Sequence, residues 1–195
     1  MTKKVQRDEK KHALASLDKS LYHSYSHQIA SNFLMEEDVK RASVIGLTIS
    51  SFPEVDTEGI IKSLWEMGKT VVVPKCSPKD RTMTFYKIES FDQLETVYMH
   101  LLEPNASLTS AVQMSDIDLL VVPGIVYSTT GYRIGYGGGY YDRFLADYGG
   151  QTVSLAFDLQ ISNEVQPESF DLPVHKIITN TQIIDCSLNR KEENE

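Results

Sequence analysis

The chain has 195 residues, 41% hydrophobic and 24% charged, a composition that excludes a disordered or collagen-like polymer and suits one domain able to bury about 70% of its unfolded surface. Nineteen basic against twenty-seven acidic residues leave a net charge of −8, which argues against bulk nucleic acid or an anionic membrane as partner but leaves room for a small anion. No apolar run approaches the ~18 residues that cross a bilayer. The basic N-terminus has no apolar stretch behind it to read as a secretory leader, and Cys76 and Cys186 match no zinc or redox spacing. The expectation is a cytoplasmic protein with two unpaired thiols.

In chain order, residues 3–36 read as helical, with Leu14, Leu17, Leu21 and Tyr25 at three- and four-residue spacing. Asp18 is placed to cap a second helix within that stretch. Residues 43–49 are a short strand. Thr57 stands where an N-cap belongs, ahead of Ile60, Ile61, Leu64 and Trp65 on one helical face, and Gly68 ends that helix. Val71, Val72 and Val73 form a continuous apolar strand of the kind buried on both faces. Residues 83–88 predict a further strand, and 118–122 a buried one running straight into Pro123-Gly124. A helix over 140–148 and strands over 153–157 and 176–179 complete the pattern, while the stretch 86–110 has no clear period. Strands alternating with helices imply βαβ units and a mainly parallel sheet in a single α/β domain. That domain spans 1–188, and the charged residues 189–195 read as a frayed tail.

Five of the eleven glycines, Gly131, Gly135, Gly137, Gly138 and Gly139, fall within nine positions between the 118–122 strand and the 140–148 helix. Glycine lets backbone N–H groups approach a ligand closely, and the helix N-terminus beyond offers free N–H groups and a partial positive charge, so the segment reads as a phosphate site. Arg133 adds a fork of donors. Asp142, at the helix start, is an oxygen ligand suited to Mg²⁺. Neither common nucleotide loop fits: Gly139 is followed by Tyr140 rather than Lys-Ser/Thr, and Tyr140 also stands where a dinucleotide fingerprint needs its third glycine. A flexible glycine hinge is the plain alternative, poorly matched by the flanking Arg133 and Tyr140-Tyr141-Asp142-Arg143. His12, His23, His27, His100 and His175 sit in no catalytic pattern.

Pro123-Gly124 followed by Gly131-Tyr132-Arg133-Ile134-Gly135-Tyr136-Gly137-Gly138-Gly139-Tyr140-Tyr141-Asp142 resembles the hallmark of the 5-formyltetrahydrofolate cyclo-ligase family, the methenyltetrahydrofolate synthetases, with Ile134 where leucine is usual. Three weaker signatures follow in the family's order along essentially the whole chain. The resemblance assigns Lys3 and Arg7 to ATP phosphates, and their i, i+4 spacing puts both on one helix face. It assigns Glu54, in Glu54-Val55-Asp56-Thr57, to the folate, with Ile49 at another substrate-contact position. It makes Asp171 a second Mg²⁺ carboxylate beside Asp142. Taken alone, the same residues read as solvated surface charges, a capping turn, core packing and a turn aspartate.

What the resemblance implies is a Rossmann-like three-layer sandwich (NagB/RpiA/CoA-transferase-like) that uses ATP as co-substrate and Mg²⁺ to convert 5-formyltetrahydrofolate to 5,10-methenyltetrahydrofolate. The implied ATP site is Lys3, Arg7, Arg133, Ile134, Gly135, Tyr136, Gly137, Gly138, Gly139, Tyr140 and Tyr141. The implied folate site is Ile49, Glu54, Tyr136, Gly137, Gly138, Gly139 and Tyr140. Arg133, Tyr140 and Asp142 stand as the catalytic group, in a monomer or weak homodimer with no nucleic-acid or membrane partner. The chain departs from the family at Tyr127-Ser128, where Phe-Asp is frequent, and at Tyr136 and Gly138, where some members carry Lys or Arg. Lys75 replaces a frequent arginine and stands as a further cation near the ligands. Two other readings stay open on these residues: a folate- or nucleotide-binding regulatory module without turnover, and a sugar-phosphate isomerase, for which no acid/base pair is evident.

Overall fold

The computed structural model describes residues 1–192; the end of the expected tail, 193–195, lies outside that range. Helices α1 (Lys3–Ala15) and α2 (Lys19–Met35) open the chain. Asp18 accepts hydrogen bonds from the Ser20 and Leu21 amides (2.9 and 3.3 Å) and caps α2 as its position predicts. A short α3 (Glu37–Arg41) leads into β1 (Val44–Gly46). Then come α4 (Glu58–Glu66), β2 (Thr70–Ser77), β3 (Thr82–Ile88), β4 (Leu94–Thr96), β5 (Leu102–Pro104), β6 (Ser110–Val112), β7 (Leu119–Val121), β8 (Val126–Tyr127), β9 (Arg133–Ile134), α5 (Tyr140–Asp147), β10 (Gln151–Leu155), β11 (Lys176–Ile178), β12 (Ile183–Asp185) and α6 (Cys186–Glu192).

Eight strands form one sheet in the order β12-β11-β10-β7-β1-β2-β3-β6. Its middle, from β11 to β2, is parallel, and the flanking β12, β3 and β6 each pair antiparallel with the strand inside them. The sheet is therefore mainly parallel, as the alternating pattern implies. Strand side chains alternate between faces. Val71, Val73, Leu119, Val121, Val153 and Leu155 pack with Ile29, Phe33, Val39, Ile61 and Leu64 of α2, α3 and α4. Val72, Leu120 and Ile177 pack on the other face with Phe144 and Leu145 of α5 and with Cys186. Helices thus cover both faces, which is why residues 71–73 can be apolar without interruption.

The structure corrects two local expectations and fills in one stretch that had no clear pattern. Thr57 holds the N-cap position of α4, but its side chain makes no capping bond. Its buried hydroxyl donates to the Thr48 carbonyl (2.8 Å) and accepts from the Ser50 amide (3.0 Å), while Asp56 takes the Glu58 amide (2.9 Å). Thr57→Ala is thus expected to cost about 1–3 kcal/mol through the loop after β1 rather than through α4. A shift of the urea midpoint at constant slope measures this, and an unchanged midpoint refutes it. Residues 189–192 are not a frayed tail: they continue α6, because Asn189 and Arg190 donate to the Thr129 and Thr130 carbonyls (2.9 and 2.5 Å). The aperiodic stretch 86–110 holds the end of β3, the β4–β5 hairpin and two 3-10 turns, pieces of three residues each beyond β3.

β1 lies between β7 and β2. From β1 the chain moves outward to β2 through α4, and from β7 it moves the opposite way to β10 through α5. The loops leaving the carboxyl ends of β1 and β7 therefore part at a topological switch point, the place where open α/β sheets bind ligands. The first loop carries Ile49 and Glu54. The second carries Pro123-Gly124, the β8–β9 hairpin and the glycine segment.

Candidate active site

The glycine segment ends on α5, whose N-cap is Gly139 in a left-handed conformation with no side-chain cap. No side chain therefore caps the first N–H groups of α5 from the Gly139 position. Tyr140 folds back over Gly138, and Arg143 holds the Gly138 carbonyl (3.0 Å).

Helix α1 turns its basic face to this loop. Arg7 Nε donates to the Gly135 carbonyl (2.8 Å), and its guanidinium lies against Gly137. Lys11 stands 5.4 Å from the Tyr136 ring centroid, within cation–π range. Lys10 donates to the Leu159 carbonyl beyond β10. The sequence reading missed Lys10 and Lys11, although they continue the i, i+4 row of Lys3 and Arg7 by one further turn.

The loop after β1 closes on the same place. Its Phe52–Pro53 peptide is cis. Glu54 Oε2 accepts from the Ser51 amide (3.0 Å), and its carbonyl accepts from the Tyr22 hydroxyl (2.8 Å). Glu54 Oε1 accepts from the Tyr136 hydroxyl, so the carboxylate and the glycine loop meet across 82 residues of chain. Desolvation of its hydroxyl, although about half of the residue is exposed, and the charge of Glu54 hold the Tyr136 phenol above its usual range. Ile49 is half-buried and packs against the core on the α2–α4 side.

Arg133 is almost wholly enclosed, with 4% of its side chain exposed. Its two terminal nitrogens donate to Asp142 Oδ1 (2.7 Å) and to the Leu172 carbonyl (2.8 Å). Asp171, next to Leu172, accepts from Lys3 Nζ through Oδ2 (2.6 Å) and also holds the Glu168 amide (2.8 Å). Partial burial opposes the Lys3 charge, but the bonds and charges of Asp171 and Glu168 outweigh it, and the ammonium pKa is raised. Two of the expected phosphate cations, Arg133 and Lys3, are thus ion-paired with the two expected Mg²⁺ carboxylates. Arg133 bonds the Asp142 carboxylate and the Leu172 carbonyl rather than Asp171 itself, and no group of three or more His, Cys, Asp or Glu side chains that could hold a metal is assembled among the described residues.

The remaining expected residues are engaged in other contacts. Lys75 binds Glu95 and Glu103 (2.7 and 3.6 Å) and the Pro104 carbonyl (3.1 Å), fastening the β4–β5 hairpin to β2. Ser128 closes the turn between β8 and β9 through Thr130 (2.8 Å) and the Tyr132 amide (3.1 Å). Both thiols are unpaired, and burial raises them, Cys76 to about 11 and Cys186 to about 12. His175 is held by Thr152 (2.8 Å). Open depressions of about 550 and 720 Å³ lie at the opposite end of the strands, around the N-terminal ends of β7 and β10. No helix among the described residues is long and apolar enough to cross a membrane.

A glycine-rich loop at a switch point, faced by the basic side of α1 and by the Glu54 carboxylate, defines an α/β protein with a small-molecule site. A family model described as the 5-formyltetrahydrofolate cyclo-ligase family matches residues 1–180, and the chain belongs to that family. It is 28% identical over 160 residues to the 5-formyltetrahydrofolate cyclo-ligase of Escherichia coli K12, covering 80% of this chain and 88% of that one. It is 25% identical over 168 residues to the Haemophilus influenzae enzyme of the same name, covering 84% and 90%. The fold is similar to the solved 5,10-methenyltetrahydrofolate synthetase of Aquifex aeolicus, with a TM-score of 0.85 at 24% identity over 95% of this chain and 93% of that one.

Proposed function

We propose that this chain converts 5-formyltetrahydrofolate to 5,10-methenyltetrahydrofolate with consumption of ATP and release of ADP and phosphate. The observation that supports this most is the meeting of Arg7, Glu54 and Tyr136 at the glycine segment, which brings the expected phosphate and folate contacts to one point. Direct ring closure is slow because the formyl oxygen is a poor leaving group. Transfer of the γ-phosphoryl group to that oxygen turns it into phosphate. N10 then adds to the activated formyl carbon and gives its proton to solvent, and the C–O bond to phosphate breaks, leaving the methenyl bridge between N5 and N10. The protein's share is positioning and charge neutralisation.

On this reading Arg7, Lys3 and the backbone from Ile134 to Gly139 receive the triphosphate, with Tyr140 and Tyr141 at the start of α5, while Arg133 holds Asp142 and the Leu172 carbonyl in place beside them. Ile49, Glu54, Tyr136 and Tyr140 receive the folate. Asp142 and Asp171 would hold Mg²⁺, which when bound offsets the triphosphate's charge. No covalent protein nucleophile is required. The test is one absorbance assay for the methenyl product from 5-formyltetrahydrofolate, with and without ATP and Mg²⁺. The expected result is product only when both are present; well-folded protein that forms none overturns the reading.

A further inference from the structure

Gly138 stands between Gly137 and Gly139, both in left-handed backbone (φ +99 and +65), so the middle of the glycine segment has little conformational resistance of its own. Two arginines hold it from outside. Arg7 Nε donates to the Gly135 carbonyl (2.8 Å) from α1, and Arg143 Nη1 donates to the Gly138 carbonyl (3.0 Å) from α5. Each guanidinium also lies against the backbone beside its bond: Arg7 is 3.9 Å from where a Cβ would stand at Gly137, and Arg143 is 3.0 Å from one at Gly139. Arg133 and Lys3 are bound to Asp142 and Asp171. Arg7 and Arg143 spend their hydrogen bonds on loop carbonyls instead.

The two bonds decide where the neighbouring amides point. The peptides from Gly135 to Tyr136 and from Gly138 to Gly139 are trans, because the cis bond among the described residues is Phe52–Pro53. In a planar trans peptide the N–H points opposite to the C=O. A guanidinium that takes the carbonyl therefore turns the next N–H away from itself. From Tyr136 to Asp142 no backbone N–H donates to another group among the described residues. The segment thus has its carbonyls held at two points and its amides free between and beyond them. Helix stability does not account for the Arg143 contact. The residue is exposed, its bond reaches back five positions, and it sits near the start of α5, where the helix dipole disfavours a cation.

We propose that Arg143 is a positioning residue for phosphate binding: by holding the Gly138 carbonyl it fixes the direction of the Gly139 N–H, as Arg7 fixes that of Tyr136. The proposal rests on the cyclo-ligase reading and adds to it a residue to which the family resemblance assigns no role. Arg143 acts through the peptide, and no bond to it forms or breaks in the reaction. Its contribution is to set the amides before ATP arrives, so that binding does not have to order them.

The test compares Arg143→Ala and Arg143→Lys with the unaltered full chain in three measurements: urea unfolding, the amide NMR resonances of Gly137, Gly138 and Gly139 without ligand, and steady-state kinetics at varied Mg-ATP. The urea midpoint is expected to hold in both variants, because the side chain is exposed. In Arg143→Ala the three loop resonances are expected to broaden or shift without ligand, and the KM for ATP to rise about tenfold, with KM rather than kcat carrying the loss. Arg143→Lys keeps a donor for the Gly138 carbonyl and is expected to restore most of both. Loop resonances that stay in place while the KM rises overturn the proposal and make Arg143 a direct phosphate contact. Resonances that change while the KM stays normal overturn it too, since loop order would then not matter to ATP. A lowered urea midpoint in Arg143→Ala, matched by the loss of activity, reduces the residue to a structural one. If the unaltered protein itself shows no turnover with Mg-ATP, the cyclo-ligase reading fails and the proposal falls with it.

Discussion

Arg133→Ala is expected to cost about 2–4 kcal/mol of folding stability and to remove most of the activity. The guanidinium has 4% of its side chain exposed and spends both terminal nitrogens, one on Asp142 and one on the Leu172 carbonyl. Removing one partner of a buried pair costs about 3–5 kcal/mol, because the other charge is left without compensation. Asp142 keeps 31% of its side chain exposed, so water recovers part of that loss and the expected range is lower. Arg133→Lys separates charge from shape. An ammonium preserves the charge but not the planar fork that reaches both acceptors, so it should recover part of the stability and little of the geometry. Urea unfolding of the three proteins measures the stability term.

The same pairing changes what the kinetics of the variant should show. A guanidinium free to meet phosphate would lose ATP affinity alone, by about 1.5–3 kcal/mol for a charge-assisted bond. A guanidinium that holds Asp142 and the Asp171–Leu172 turn in place loses the apparent affinity for Mg²⁺ along with it. Titrating Mg²⁺ at fixed ATP separates the two. A Mg²⁺ midpoint that rises in Arg133→Lys supports positioning. One that stays fixed while the ATP KM rises returns Arg133 to direct phosphate contact.

What the sequence made legible was whatever depends on neighbours in the chain. The Asp18 cap, the helix face of Ile60, Ile61 and Leu64, and the two-sided burial of residues 71–73 are local patterns, and each appears in the fold. Thr57 looked local but was not: its hydroxyl found the Thr48 carbonyl before any α4 amide, a competition no spacing rule ranks. β6 and β12 are three-residue edge strands recruited by the neighbours they pair with, so their own sequence carries little signal. In the site, the glycine run and the Lys3–Arg7 spacing were readable. The ion pair from Lys3 to Asp171 and the bond from Tyr136 to Glu54 were not, since they join residues 168 and 82 positions apart. Family resemblance could place those residues in one site, but not which of them already satisfy one another.

The glycine cluster itself divides into two kinds of glycine, and substitution by alanine should separate them. Gly131 sits at φ +91, and a Cβ there would stand 2.4 Å from the Val174 carbonyl oxygen and 3.0 Å from Cys186. Its backbone cannot move away, because its amide donates to Ser128 (3.0 Å) and its carbonyl accepts from the Val174 amide (3.0 Å). A positive φ costs a residue with a side chain about 1–3 kcal/mol, and forcing a methyl into filled space costs about the same again. Gly131→Ala should therefore lose about 3–5 kcal/mol or fail to fold, with any fall in activity following the loss of folded protein. Gly135 has neither constraint: its φ is ordinary and nothing lies within 4 Å of a Cβ. Gly135→Ala should fold normally, or gain about 0.4–1 kcal/mol from a stiffer unfolded chain. Its carbonyl already receives Arg7; if the triphosphate meets that guanidinium as proposed, a methyl group in the open space beside it should raise the apparent KM for ATP about tenfold while leaving the urea midpoint in place. A Gly135→Ala protein with normal stability and a normal KM for ATP would show that the phosphates pass elsewhere, and would move the site from the first half of the loop toward Gly139 and the exposed N–H groups of α5.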